Sequence, residues 1–224
     1  VIVSSVAMSQ STNTSPSTRS SVANIVGVVA DGQTYKNLLY LLLAFPLGMA
    51  YYIILMVGFT VGLGLSVLVV GLGILLATVI GLRYLASFER GLANTLLGTK
   101  IHKPDDVEKA SEGIVGTAKA YLQASSTWRG LGFVALKFPI GLLSFVLLVT
   151  FLGTGLELLL IPLFPGGVFN VQIAGWVVAE SIEATTEQAI AVPTGAFLVL
   201  FAVHILNAFA RANASIASSL LGSN

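Results

Sequence analysis

Cysteine is absent from the chain and charge is scarce. Without a thiol there is no disulfide framework, no thiolate metal site and no cysteine nucleophile. Charged residues make up 9% of the sequence, against about 25% in an ordinary soluble domain. Too few charges are present to solvate a globule of this size, so lipid must cover most of the surface. A net charge of +1 lacks the electrostatic footprint of a nucleic-acid binder. The catalytic signatures are missing too: no Gly-x-Ser-x-Gly elbow, no His-Glu-x-x-His, no Walker lysine, and no glutamate pair with membrane histidines of the intramembrane-protease kind. The expectation is a protein that is not an enzyme and carries no cofactor or metal.

What is abundant is apolar sequence, 55% of residues, with a mean hydropathy of +0.92. The exception is the start. Ser4 to Ser21 is rich in Ser and Thr, contains Pro16 and carries Arg19 as its one charge. It has neither the basic start nor the unbroken apolar core of a signal peptide, so residues 1–33 read as a disordered cytoplasmic tail. Val1 with Met8 close behind points to an alternative or over-called start.

One stretch then occurs twice. Thr34-Tyr35-Lys36 leads through apolar residues to Phe45-Pro46-Leu47-Gly48, and Thr127-Trp128-Arg129 leads to Phe138-Pro139-Ile140-Gly141. From the other end, Leu92-Ala93-Asn94-Thr95-Leu96-Leu97-Gly98 is echoed by Ile216-Ala217-Ser218-Ser219-Leu220-Leu221-Gly222. The expected fold is an all-α integral membrane protein, a four-helix transmembrane bundle made of two repeated helical hairpins with a small extracytoplasmic helical cap. The hairpins cover 34–98 and 127–224, an amphipathic linker covers 99–126, and the second hairpin holds an insertion over 166–192.

Four spans follow from the apolar runs, at about 20 residues needed per crossing. They are Tyr35–Thr60, Leu65–Phe88, Trp128–Leu152 and Thr194–Ala214. The glycines from Gly58 to Gly64 read as a turn, Gly153-Thr154-Gly155 as another, and Pro162 and Pro165 stop the helix that follows. Pro46 and Pro139 lie inside spans, where proline removes a backbone donor, and are candidate hinges. Gly62-Leu63-Gly64 and Gly71-Leu72-Gly73 could be taken for phosphate loops, but close helix contact is the better reading of small residues in lipid. Glu89 and Arg90 read as the span emerging into water, and Lys137 as a side chain snorkelling to the headgroups.

In the linker, Pro104-Asp105-Asp106-Val107-Glu108 carries a helix-start signature. Val107, Ala110, Ile114, Ala118, Tyr121 and Leu122 recur at helical spacing, with Lys103, Lys109 and Lys119 around them. The insertion has Trp176 and three acids but no Lys or Arg, and reads as helical over Ala179–Ala191, ending before Pro193. Every basic residue falls in the tail, the linker or the helix ends facing them. The positive-inside bias therefore places both termini and the linker in the cytoplasm, in a multi-pass plasma-membrane protein. Two hairpins of one orientation are related by an axis along the membrane normal.

Candidate functional residues are few. His204 lies in the last span, where an ionisable group is a candidate by default, although a neutral histidine bonded to a neighbouring helix is the commoner outcome. Glu157 could take a cation or a proton, or be solvated at the boundary. Glu180, Glu183 and Glu187 share a helical face that could hold Ca²⁺ weakly, and a solvated face is the commoner outcome here also.

The residues Tyr40-Leu41-Leu42-Leu43-Ala44-Phe45-Pro46-Leu47-Gly48, the turn Gly62 to Leu65, Phe88-Glu89-Arg90 and the second copy Trp128-Arg129 to Gly141 resemble the Putative sensor family. That module is found in front of some actinobacterial histidine kinases and as stand-alone proteins in haloarchaea. The resemblance covers about Thr34 to the C-terminus. It implies a membrane sensory role in an archaeal-type stand-alone form, with no ligand residues to carry over. No phospho-acceptor region or ATP-binding domain follows the last span, so any signal is expected to pass through the linker to a separate cytoplasmic partner. The alternative is a small transporter, channel or accessory subunit working as a homodimer or larger oligomer, with His204 and Glu157 on its path. A purely structural bundle is the third reading.

Overall fold

A computed structural model describes residues 27–104, 114–164, 168–169, 171–173, 175–177, 182 and 185–223. Four helices are long and apolar enough to cross a membrane: span 1 (Gly32–Gly64), span 2 (Val69–Leu96), span 3 (Ser125–Leu160) and span 4 (Thr185–Leu221). The architecture is the all-α four-helix membrane bundle expected. In lipid every backbone N–H and C=O must pair within its own segment, which leaves the helix as the form these apolar runs can take. At 28 to 37 residues the spans exceed the roughly 20 needed to cross, and such excess is taken up by tilting.

The helices run further than the sequence punctuation implied. Gly58, Gly62 and Gly64 lie inside span 1, and the turn is formed by Leu65 to Leu68 instead. Span 3 passes through Gly153-Thr154-Gly155 without a turn, as a π-helical stretch over Leu148–Gly153 that continues as α-helix over Thr154–Leu160. Pro193 sits inside span 4 rather than before it, and that helix extends beyond Ala214 to Leu221. One physical reason covers all three. An unpaired backbone group in hydrocarbon costs several kcal/mol (roughly 2–7), so a helix in lipid tolerates a glycine, a π-bulge or one missing proline donor where a soluble helix would stop.

Span 1 and span 3 share the most extensive interface. Gly48 meets the backbone of Lys137, where a Cβ would come within 2.6 Å of the carbonyl oxygen, and Gly141 meets the backbone of Ala44 and Phe45. Phe45 stacks on Phe145 at 4.8 Å and Tyr52 on Phe138 at 5.0 Å, flanking that contact. Pro46 and Pro139 therefore lie within this interface, each inside a helix. Farther along, Gly155 and Gly195 bring span 3 against span 4, a Cβ on Gly195 falling 2.6 Å from the Leu159 nitrogen. Small residues are what permit helices to approach this closely. The buried core gathers Tyr40, Leu41, Leu82, Ala86, Phe133, Val134, Leu206 and Ala210 from all four spans, while Leu72, Phe88 and Phe197 face outward from the bundle.

The insertion holds a small antiparallel hairpin, Gln172–Ile173 with Trp176–Val177, turned by Gly175 at φ +87°. Of the helix expected over Ala179–Ala191, the part from Thr185 is helical and forms the start of span 4. In the linker a short helix covers Ile114–Gln123. The start signature from Asp105 to Glu108, with Val107, Lys109 and Ala110, lies outside the described residues, as does most of the tail.

Candidate functional site

The least expected feature lies in the core. Glu89 of span 2 and Lys137 of span 3 are both buried, at 0% and 1% exposure, and their side chains pair at 2.7 Å. Two tyrosines of span 1 complete the group. Lys137 Nζ also donates to the Tyr40 hydroxyl at 3.0 Å, Tyr51 donates to Glu89 Oε1 at 3.1 Å, and Tyr40 reaches Glu89 Oε2 at 3.5 Å. The ammonium also lies over the Tyr40 ring, 4.1 Å from its centre.

This corrects two expectations. Lys137 does not snorkel: it lies three turns into span 3, about 18 Å from Ser125 at 1.5 Å per residue, and is enclosed by protein. Glu89 does not emerge into water either. Each charge alone would carry a desolvation penalty of several kcal/mol, and the pair with its two phenol groups offsets it. The clue in the sequence was that an acid and a lysine occur within largely apolar spans, one on each hairpin.

Two further polar groups tie the hairpins together. In the first, Asn37 donates to Asn207 at 2.7 Å and Asn207 to the Thr34 hydroxyl at 2.9 Å, while Gln33 donates to Asn37 and to the Leu96 carbonyl. In the second, Arg83 of span 2 donates to the Ser126 hydroxyl at 2.9 Å and to Thr127 at the start of span 3, and its guanidinium lies 5.3 Å from the centre of the Tyr121 ring on the linker helix. Arg90 reaches the Leu221 carbonyl at 3.3 Å. A cavity of about 360 Å³ opens beside this second group, lined by Arg83, Arg90, Lys103, Tyr84, Tyr121 and Ser126 among others.

Residues 40–221 match the model of a family described as Putative sensor. The chain belongs to that family. The matched region starts on Tyr40 of the buried cluster and ends on Leu221, which accepts from Arg90, so it holds Glu89, Lys137 and the second polar group. Searches of curated proteins and of solved structures each found no match.

Of the ionisable residues singled out in this Putative sensor chain from its sequence, His204 and Glu157 share no described bond. His204 is half-buried, and its Nδ1 is 2.8 Å from the Leu200 carbonyl of its own helix rather than of a neighbour. Glu157 is not solvated. It is fully buried, and its Oε2 accepts from the Val171 backbone at 2.9 Å, which pins the insertion to span 3. Its Oε1 and the Thr154 hydroxyl pair with no described group. Glu187 is exposed in the first turn of span 4, and Glu180 and Glu183 lie outside the described residues. Among the described residues no three metal-ligating side chains converge.

Proposed function

We propose that the chain is a membrane sensor with no catalytic chemistry of its own, which passes a change in the packing of its hairpins through residues 99–126 to a separate signalling protein. The single observation that carries this reading is the placement of Arg83. It touches the start of span 3 through Ser126 and Thr127 and the linker helix through Tyr121. Six residues further along the same helix, Glu89 is joined to Lys137. A shift of span 2 against span 3 is therefore felt at the linker.

The two hairpins are read as copies of one unit, with residues 34–98 and 127–224 as its two forms. The reciprocal seating of Gly48 and Gly141 supports this, each against the backbone just before the other copy's proline. Pro46 and Pro139 act as hinges at that contact, since proline removes one rung of the helix ladder. Both termini and the linker face the cytoplasm of a plasma-membrane protein, on the asymmetry of the basic residues. A transporter reading has less support, because no described contact joins His204 to Glu157.

The test compares the full chain with one lacking residues 105–118, each purified from native membranes in mild detergent. A response regulator, kinase or transcription factor recovered with the full chain and lost with the deletion is the expected result. Recovery of a transport protein, or self-association alone, would replace this reading.

A further inference from the structure

The bundle contains a second cavity, of about 240 Å³, and it occupies the place in the second hairpin's surroundings that the first cavity occupies in the first's. The offset that carries Leu97 to Leu221 also carries Arg83 to Asn207, Ala86 to Ala210, Ser87 to Arg211 and Arg90 to Ala214. The offset that carries Gly48 to Gly141 carries Gln33 to Ser126 and Thr34 to Thr127. Arg83, Ala86, Ser87, Arg90 and Ser126 line the first cavity, and their equivalents Asn207, Ala210, Arg211, Ala214 and Gln33, with Thr34, line the second. The bonding is also equivalent: Asn207 donates to Thr34, and Arg83 donates to Thr127.

The two cavities differ in charge. The second has one acid, Asp31, and one base, Arg211, and its amides are taken up by one another. Among the described residues, the first is lined by the bases Arg83, Arg90 and Lys103 and by no acid. Arg83 and Arg90 are seven residues apart on one helix, hence on one face, and lie within each other's electrostatic influence. Arg83 spends Nη1 on Ser126 and Thr127, so its Nε and Nη2 edges donate to no described group. A guanidinium has five N–H donors in a planar fork that matches phosphate oxygens. Like charges held together in a partly enclosed cavity focus the field and favour an anion. Tyr84 is exposed at the rim, and the Arg83 guanidinium lies over the Tyr121 ring.

We infer that the cavity between span 2, the linker helix and the start of span 3 binds a phosphate group, with Arg83 as the oriented donor and Arg90 and Lys103 as the supporting charges. The phosphate belongs to the headgroup of an anionic phospholipid or to a soluble phosphorylated compound. This site stands independently of the sensor reading. Basic pockets between membrane helices on the cytoplasmic side are a known setting for headgroups, and the proposed topology puts the linker on that side.

The experiment is native mass spectrometry of the full chain released from nanodiscs. One set contains phosphatidylglycerol, and the other contains phosphatidylcholine with millimolar glycerol phosphate in the buffer. Wild type is expected to retain one anionic adduct, at least tenfold more than Arg83→Gln or Lys103→Gln. Arg211→Gln, altered in the equivalent cavity, is expected to retain it as wild type does. Retention of phosphatidylglycerol alone assigns the lipid source, and retention of glycerol phosphate in the neutral nanodisc assigns the soluble one. Lys103 is exposed and makes no described bond, so Lys103→Gln tests the site even where Arg83→Gln fails to fold. Equal retention by wild type and Lys103→Gln, or equal loss in Arg211→Gln, overturns the proposal.

Discussion

Replacing Lys137 with methionine removes the ammonium and leaves a side chain of similar length in the same slot. Glu89 then keeps the Tyr51 hydroxyl at 3.1 Å and the Tyr40 hydroxyl at 3.5 Å, with no counter-charge. Removing one partner of a buried pair costs about 3–5 kcal/mol, because the remaining charge is still held out of water. The two phenols do not make this up, since hydrogen bonds in membrane bundles are worth about 0.6 kcal/mol on average. At about 2–4 °C per kcal/mol for a chain of this size, Lys137→Met should lower the melting temperature by roughly 6–20 °C. The paired variant, Glu89→Gln with Lys137→Met, removes both charges while leaving an amide oxygen for Tyr51. It should melt within about 1 kcal/mol of wild type, as neutral replacements of buried pairs commonly do. Circular dichroism melts in one mild detergent, on samples that elute as a single species, make the comparison. A Lys137→Met protein as stable as wild type, or a paired variant no better than the single one, would refute the claim that this pair joins the hairpins.

Other outcomes follow from the same geometry. Gly48→Val places atoms against the Lys137 carbonyl and should cost about 1–3 kcal/mol or more by overpacking. Gly81→Ala, with open space around it, should be neutral or stabilising by about 0.5–1 kcal/mol, and the two melts side by side test whether the glycine contact or glycine itself matters. Asn207→Leu removes bonds to Asn37 and Thr34 and should cost about 1–3 kcal/mol through the buried groups left unpaired. Glu157→Ala frees the Val171 amide and should speed protease cleavage within residues 166–184 while the spans stay protected, which a timed digest reads directly. Because the chain has no cysteine, Lys103→Cys and Thr185→Cys each give a single label site. An impermeant maleimide applied to intact cells should label the second and spare the first.

The membrane class, the four spans and the grouping of basic residues could be read from the sequence. A run of about 20 apolar residues has one stable form in lipid, so composition and periodicity settle it without reference to neighbours. The recurrence of Phe-Pro-aliphatic-Gly, at Phe45 to Gly48 and at Phe138 to Gly141, was also legible whatever it packs against. Where the helices end was not. The glycines near Gly62 and Gly153 look like turns until the partner helix is known, and here they lie inside continuous helices, with Gly58, Gly62 and Gly155 as points of close approach. The polar core depended on packing even more. Glu89 and Lys137 are far apart in sequence and each, taken alone, reads as a boundary residue. The Gly48 and Gly141 contact brings span 3 onto span 1, and the buried pair forms where span 2 joins them. Local preference decides what a segment of this chain becomes. Whether a charge within it meets water or a partner depends on distances that only the assembled bundle defines.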